Sequence, residues 1–134
     1  MPPFPGTGAA FVPFTSPSRG LSRRRERESF AAFVTDRYAE EMATTAGHVA
    51  ATVAEREPSA MAIGRAVDGP LLFLDAEVRE GRPFEYKRGF ALAVMERAVA
   101  AFGVPGPNAK VVFTEHAGED MMGIDRVGGD WEEE

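Results

Sequence analysis

Two arginines, Arg79 and Arg82, stand three residues apart in the segment Arg79-Glu80-Gly81-Arg82. At a strand end that spacing makes a fixed positive clamp, and guanidiniums match the planar geometry of a carboxylate. Glu77, Glu80 and Glu85 lie within reach of the same two residues, so surface ion pairs are the competing reading. The two histidines, His48 and His116, each lack a second histidine or carboxylate at metal-ligand spacing. His48 reads as a turn or interface residue at a strand start, and Glu115-His116 as a solvated pair at a strand end. The chain has no cysteine, which removes thiolate catalysis, disulfides and Cys-ligated metals. Gly6-Thr7-Gly8 is not followed by a helix, so it makes no phosphate loop. On the residues alone the ion-pair reading of Arg79 and Arg82 is the favoured one, with anion binding by the pair as its rival.

The elements that must position this pair come in two copies. Met61-Ala62-Ile63-Gly64-Arg65 reappears as Met122-Gly123-Ile124-Asp125-Arg126, 61 residues later. At the same offset Gly20 meets Gly81 and Arg27 meets Arg88, which points to a duplicated supersecondary unit. In the first copy, Ala10-Phe11-Val12-Pro13-Phe14 is a short apolar strand, with Pro13 on an unpaired side or at a bulge. Phe30, Phe33, Val34, Tyr38 and Met42 then fall on one face of a helix over residues 23–43. Val49 to Ala54 alternates as a strand, and Met61-Ala62-Ile63 is a short extra strand in the connection that follows. In the second copy, Leu71-Leu72-Phe73-Leu74 opens a central strand buried on both faces. Pro83 suits a helix start, and Phe90, Val94, Ala98 and Phe102 line one face of that helix. Gly103 and Pro105 stop it. Lys110 to Thr114 is the fourth strand.

The expected fold is α+β: two tandem β-α-β units forming a four-stranded mixed sheet with two helices on one face. Its sequence boundaries are an N-terminal extension over residues 1–9, a first unit over 10–69 and a second over 70–134, all within a single domain. The sheet's other face reads as too apolar to be left in water, and self-association is the usual remedy.

Composition narrows the partners. An apolar share of 44% and a charged share of 27% are those of an ordinary globular domain. A formal charge of −6 argues against nucleic acid. The five arginines between Arg19 and Arg27 are interleaved with Glu26 and read as a solvated helix start. No apolar run approaches the ~18 residues of a membrane-spanning helix, and no signal segment follows Met1. The expectation is a cytoplasmic protein with no membrane or nucleic-acid partner.

From Leu74-Asp75-Ala76-Glu77-Val78-Arg79-Glu80-Gly81-Arg82 through Lys87 to Trp131, the second copy resembles the tautomerase superfamily. Thr35-Asp36-Arg37-Tyr38, Gly47-His48-Val49 and Val53-Ala54-Glu55 extend the resemblance over the first copy, from about Leu21 onward. The fused, double-length branch typified by cis-3-chloroacrylic acid dehalogenase is the most similar. The resemblance implies a cofactor-free homotrimer that handles a small unsaturated or 2-oxo carboxylate by tautomerisation, hydration or decarboxylation. Arg79 and Arg82 match the substrate-binding arginines. An N-terminal proline is the family's catalyst, its α-amino group titrating at about 7.7–8.0. Aligned through the first helix, that proline falls at Ala10 or Phe11, so the chain lacks it in register. Pro13 is internal, with an amide nitrogen. Pro2 would carry the right amine after removal of Met1, but stands eight or nine residues early. Tyr38 takes the place of the group's helix histidine. Gly123 takes that of its late glutamate, leaving Asp125, two residues on, as the substitute. The alternative is a catalytically silent homotrimer that keeps at most the carboxylate pocket.

Overall fold

The structure, a computed structural model, describes residues 6–13, 20–56 and 60–128. The first unit consists of β1 (Gly6–Pro13), α1 (Gly20–Glu41) and β2 (Val49–Arg56). The second consists of β3 (Leu72–Arg79), α2 (Phe84–Phe102) and β4 (Ala109–His116). Within each unit the strands run parallel, which requires a crossover, and the helix supplies it. β1 and β3 join the units antiparallel, giving the order β2-β1-β3-β4. A two-residue hairpin, β5 (Met122–Gly123) and β6 (Arg126–Val127), follows. The α+β, two-unit architecture is the one expected.

Both helices lie on one face. β3 buries every second residue, Leu72, Leu74, Ala76 and Val78, against them. From α1 come Phe30, Val34 and Tyr38, with Met42 just past its end, one per turn; from α2 come Phe90, Val94 and Ala98. Edge-to-face rings tie the two helices together: Phe30 with Phe102 at 5.3 Å, and Tyr38 with Phe90 at 5.1 Å. Gly103 ends α2 at φ 67, a left-handed conformation that suits glycine, and its N–H reaches the Val99 carbonyl.

Three expectations are corrected. β1 begins at Gly6 instead of Ala10. It is an inner strand, and the ladder to β2 carries Gly6 and Gly8 despite their poor strand propensity. Met61-Ala62-Ile63 forms no strand; the segment turns, with the Ala66 N–H on the Ile63 carbonyl. The sheet's other face is charged as well as apolar. Beside Phe73 and Val112 it carries Asp75, Glu77, Arg79, Lys110, Thr114 and His116, because alternation along β3 and β4 sends these residues away from the helices.

Asn108 fastens the long connection between the units. It is fully buried, accepts from the Val67 N–H at 2.8 Å, and donates to the Val67 and Pro70 carbonyls at 2.7 and 3.0 Å. Asn108→Ala leaves those backbone groups unsatisfied and is expected to cost about 2–4 kcal/mol. Urea unfolding, as a lowered midpoint at unchanged slope, checks it.

Candidate active site

One end of the sheet gathers most of the residues of interest. β1 and β2 are parallel and start there, at Gly6 and Val49, while β3 runs the other way and ends there, at Arg79. The chain then turns through Glu80 and Gly81. Gly81 has φ 116, which a side chain would strain, and the turn carries Arg82 round to the helix side. Arg79 and Arg82 are only 5% and 6% exposed, so neither is a surface residue. Glu77, one of the proposed partners, instead holds His116, with Oε2 2.5 Å from Nε2. Glu115 pairs with Lys87, so Glu115 and His116 engage separate partners and are not one solvated pair.

Arg82 ties the second unit to the first. Its Nε donates to the Met42 carbonyl at 2.7 Å, just past the end of α1, where the helix dipole favours a cation. Its Cζ lies 5.7 Å from the centre of the Tyr38 ring. Burial lowers its pKa, Tyr38 opposes that, and the nearby positive charge of Arg79 adds to it. A guanidinium so perturbed still carries its charge at neutral pH. Burial raises the pKa of Tyr38 against the opposing pull of Arg82 and Arg79. The phenol is therefore a neutral hydrogen-bond donor, suited to a developing oxyanion and not to proton abstraction.

Tyr38, Arg79 and Arg82 are thus brought together. Asp125 sits in the β5–β6 turn, 71% exposed, 3.4 Å from the Nε of Arg126. Pro13 is the last residue of β1, about 23 Å along the strand from the end that holds Arg79. Pro2 lies outside the described residues.

His48, which the sequence marks as a turn or interface residue, and Arg126, which it does not single out, belong to this end of the sheet. His48 closes the short turn Ala46–His48 that leads into β2. Partial burial, then Arg126 and Arg79, lower its pKa below the ordinary imidazole value. Arg126 is therefore close enough for its charge to be felt at His48. The signal for His48 was available: a residue directly before β2 must lie level with the start of β1, because parallel strands begin at the same end.

No protein-family model matches the chain, and no curated sequence matches it. Solved structures do. A fused 4-OT, a wild-type symmetric trimer, superposes with a TM-score of 0.71 at 15% identity, over 92% of this chain and 94% of that one. A member of the cis-3-chloroacrylic acid dehalogenase family gives 0.73 at 17% identity, over 91% of this chain and 84% of that one. The fold is that of the tautomerase superfamily. Macrophage migration inhibitory factor of Toxoplasma gondii shares it, at a TM-score of 0.73 and 16% identity over 90% of this chain and 98% of that one. In this tautomerase fold the two units of the chain correspond to the two halves of the sheet, and the second carries Arg79 and Arg82 at its strand-to-helix turn. No helix among the described residues is long and apolar enough to cross a membrane.

Proposed function

We propose that this tautomerase-fold protein binds a small unsaturated or 2-oxo carboxylate through Arg79 and Arg82 and promotes proton transfer on it. Keto–enol tautomerisation is the simplest such reaction, with hydration or decarboxylation as relatives that use the same clamp. The observation that carries the reading is the burial of two mutually repelling guanidiniums at one sheet end, beside a neutral phenol. Such a pair sets up a strong field for an anion, and a low-polarity surround strengthens each charge-assisted hydrogen bond. Tyr38 would donate to the oxygen on which charge develops.

The proton carrier is the open part. β1 begins at Gly6, so Pro2 stands four residues from the strand start. That stretch spans at most ~14 Å, and Pro2, once Met1 is removed, would supply an amine as the carrier. Asp125, exposed in its turn, would act on water only in a hydration reaction.

We propose assembly as a homotrimer, as in the fused 4-OT trimers of the same fold. The hairpin supports it: Met122, Ile124 and Val127 expose their side chains there, Ile124 fully. The silent homotrimer is the second reading. It is favoured by the exposure of Asp125, the residue that would replace the family's late acid.

Ketonisation of phenylenolpyruvate, followed by ultraviolet absorbance, tests the proposal with wild type, Pro2→Ala and Arg79→Ala. The expected result is turnover in wild type and a loss of about 100-fold or more in Arg79→Ala. Loss in Pro2→Ala identifies its amine as the base; retained activity assigns the proton to another group. Absence of turnover in wild type contradicts the enzymatic reading and supports the silent trimer.

A further inference from the structure

We infer that His48 is the proton-transfer group of the arginine site, an inference that rests on the carboxylate reading above. His48 and Arg79 stand at the same end of the sheet with β1 between their strands, two strand spacings or about 10 Å apart. By the register of the sheet Gly6 is level with Val49, and Gly8 with Ala76, so His48 and Arg79 each stand one residue beyond the level of Gly6. A small carboxylate held at the arginines would point its reacting carbons past the Gly6 end of β1 toward His48.

The ring is positioned for the task. Thr44 Oγ1 lies 3.1 Å and Thr45 Oγ1 3.4 Å from Nδ1. With Nδ1–H donated to a threonine hydroxyl, Nε2 carries the lone pair. Thr44 and Thr45 directly follow the Met42–Ala43 end of α1, and Met42 supplies the carbonyl that accepts from Arg82. One short segment therefore orients both the anion clamp and the imidazole. The charged groups facing His48 among the described residues are Arg126 from β6 and Arg79 from β3, with Asp125 ion-paired to Arg126. Partial burial, followed by the two cations, keeps the imidazole neutral at neutral pH, which is the form a base needs.

On an enol acid the step balances without a co-reactant. Nε2 takes the proton of the C2 hydroxyl, leaving an enolate and an imidazolium. The oxygen pair then forms the C2=O bond, the C2=C3 pair forms a bond to the proton that Nε2 returns, and the histidine ends as it began. Charge on the enolate is met by the arginines and by Tyr38.

The test combines kinetics with histidine NMR. Only two histidines are present, so His48→Gln assigns both imidazole signals. The expected results are a fall in kcat for phenylenolpyruvate of about 100-fold or more in His48→Gln and a Kd for cinnamate, an unreactive unsaturated carboxylate, within about threefold of wild type. Cinnamate should shift the His48 signals and raise its titration midpoint, because the bound anion offsets the arginine field. The acid limb of kcat/KM should lie below pH ~6.5 and move to higher pH in Arg126→Gln, which removes one cation facing the ring. Undiminished kcat in His48→Gln, a His48 signal indifferent to bound cinnamate, or a wild type that binds cinnamate without turning over the enol acid would each overturn the assignment and leave the carboxylate site standing. A wild type that binds no cinnamate overturns the carboxylate reading itself, and this inference with it.

Discussion

Arg82→Ala is expected to weaken binding of a small carboxylate by about 100-fold and to lower the unfolding free energy by about 2 kcal/mol. The two losses have separate origins. Binding falls because a bidentate, charge-assisted contact contributes on the order of 2–3 kcal/mol, and each 1.4 kcal/mol is a factor of ten. Stability falls because the Met42 carbonyl loses its Nε–H donor at 2.7 Å and Tyr38 loses the guanidinium stacked 5.7 Å from its centre. Relief from burying a charge offsets part of that cost, which keeps the net figure small. Arg82→Lys separates the effects further. It keeps the charge but not the planar fork, so affinity should fall by about tenfold. Calorimetric titration and urea unfolding on the two variants check both halves. Unchanged affinity in Arg82→Ala would remove this residue from the clamp.

Phe90→Ala is expected to destabilise the fold by about 3–5 kcal/mol, the largest single loss among these substitutions. Phe90 is 1% exposed and packs between the layers, with Tyr38 at 5.1 Å on α1 and Phe113 at 6.3 Å on β4. Truncation opens a cavity at the junction of both helices and the sheet, where rigid neighbours limit collapse. It also removes the ring that fixes Tyr38, so residual activity in a folded fraction should fall as well. Denaturant unfolding should show a lowered midpoint at unchanged slope. A loss below about 1 kcal/mol would mean that the helices repack around the vacancy.

Much of the scaffold was readable because its signals are local. Four-residue spacing marked Phe30, Val34 and Tyr38 on α1, Met42 just past its end, and Phe90, Val94 and Ala98 on α2, and all seven are buried. Gly103 and Pro105 marked the end of α2. The start of β1 was not readable, since Gly6-Thr7-Gly8 has turn composition and becomes a strand only by pairing along β2. The charged face of the sheet was visible in the alternation of Asp75, Glu77 and Arg79, but the apolar run Leu71–Leu74 drew attention to the opposite property. Met61–Ile63 repeats the sequence of the β5–β6 hairpin without its fold, because resemblance between segments does not supply a strand partner. Of the site, the arginine pair and Tyr38 could be named from spacing and resemblance. His48 was named only as a turn or interface residue, and Arg126 not at all, since it sits in a hairpin and only the fold brings it and Arg79 within electrostatic reach of His48. Asn108 was equally silent: an asparagine after Gly106-Pro107 looks like a turn residue until its three partners, some forty residues away, are in place.

The measurement that bears most directly on the central claim is a calorimetric titration of cinnamate into wild type, Arg79→Ala and Arg82→Ala at low and at high salt. The account predicts saturable binding to wild type, weakened by added salt as expected for an anion held by cations, and reduced by at least about tenfold in each variant. Binding of equal strength in all three proteins, or none in wild type, would contradict an arginine carboxylate clamp.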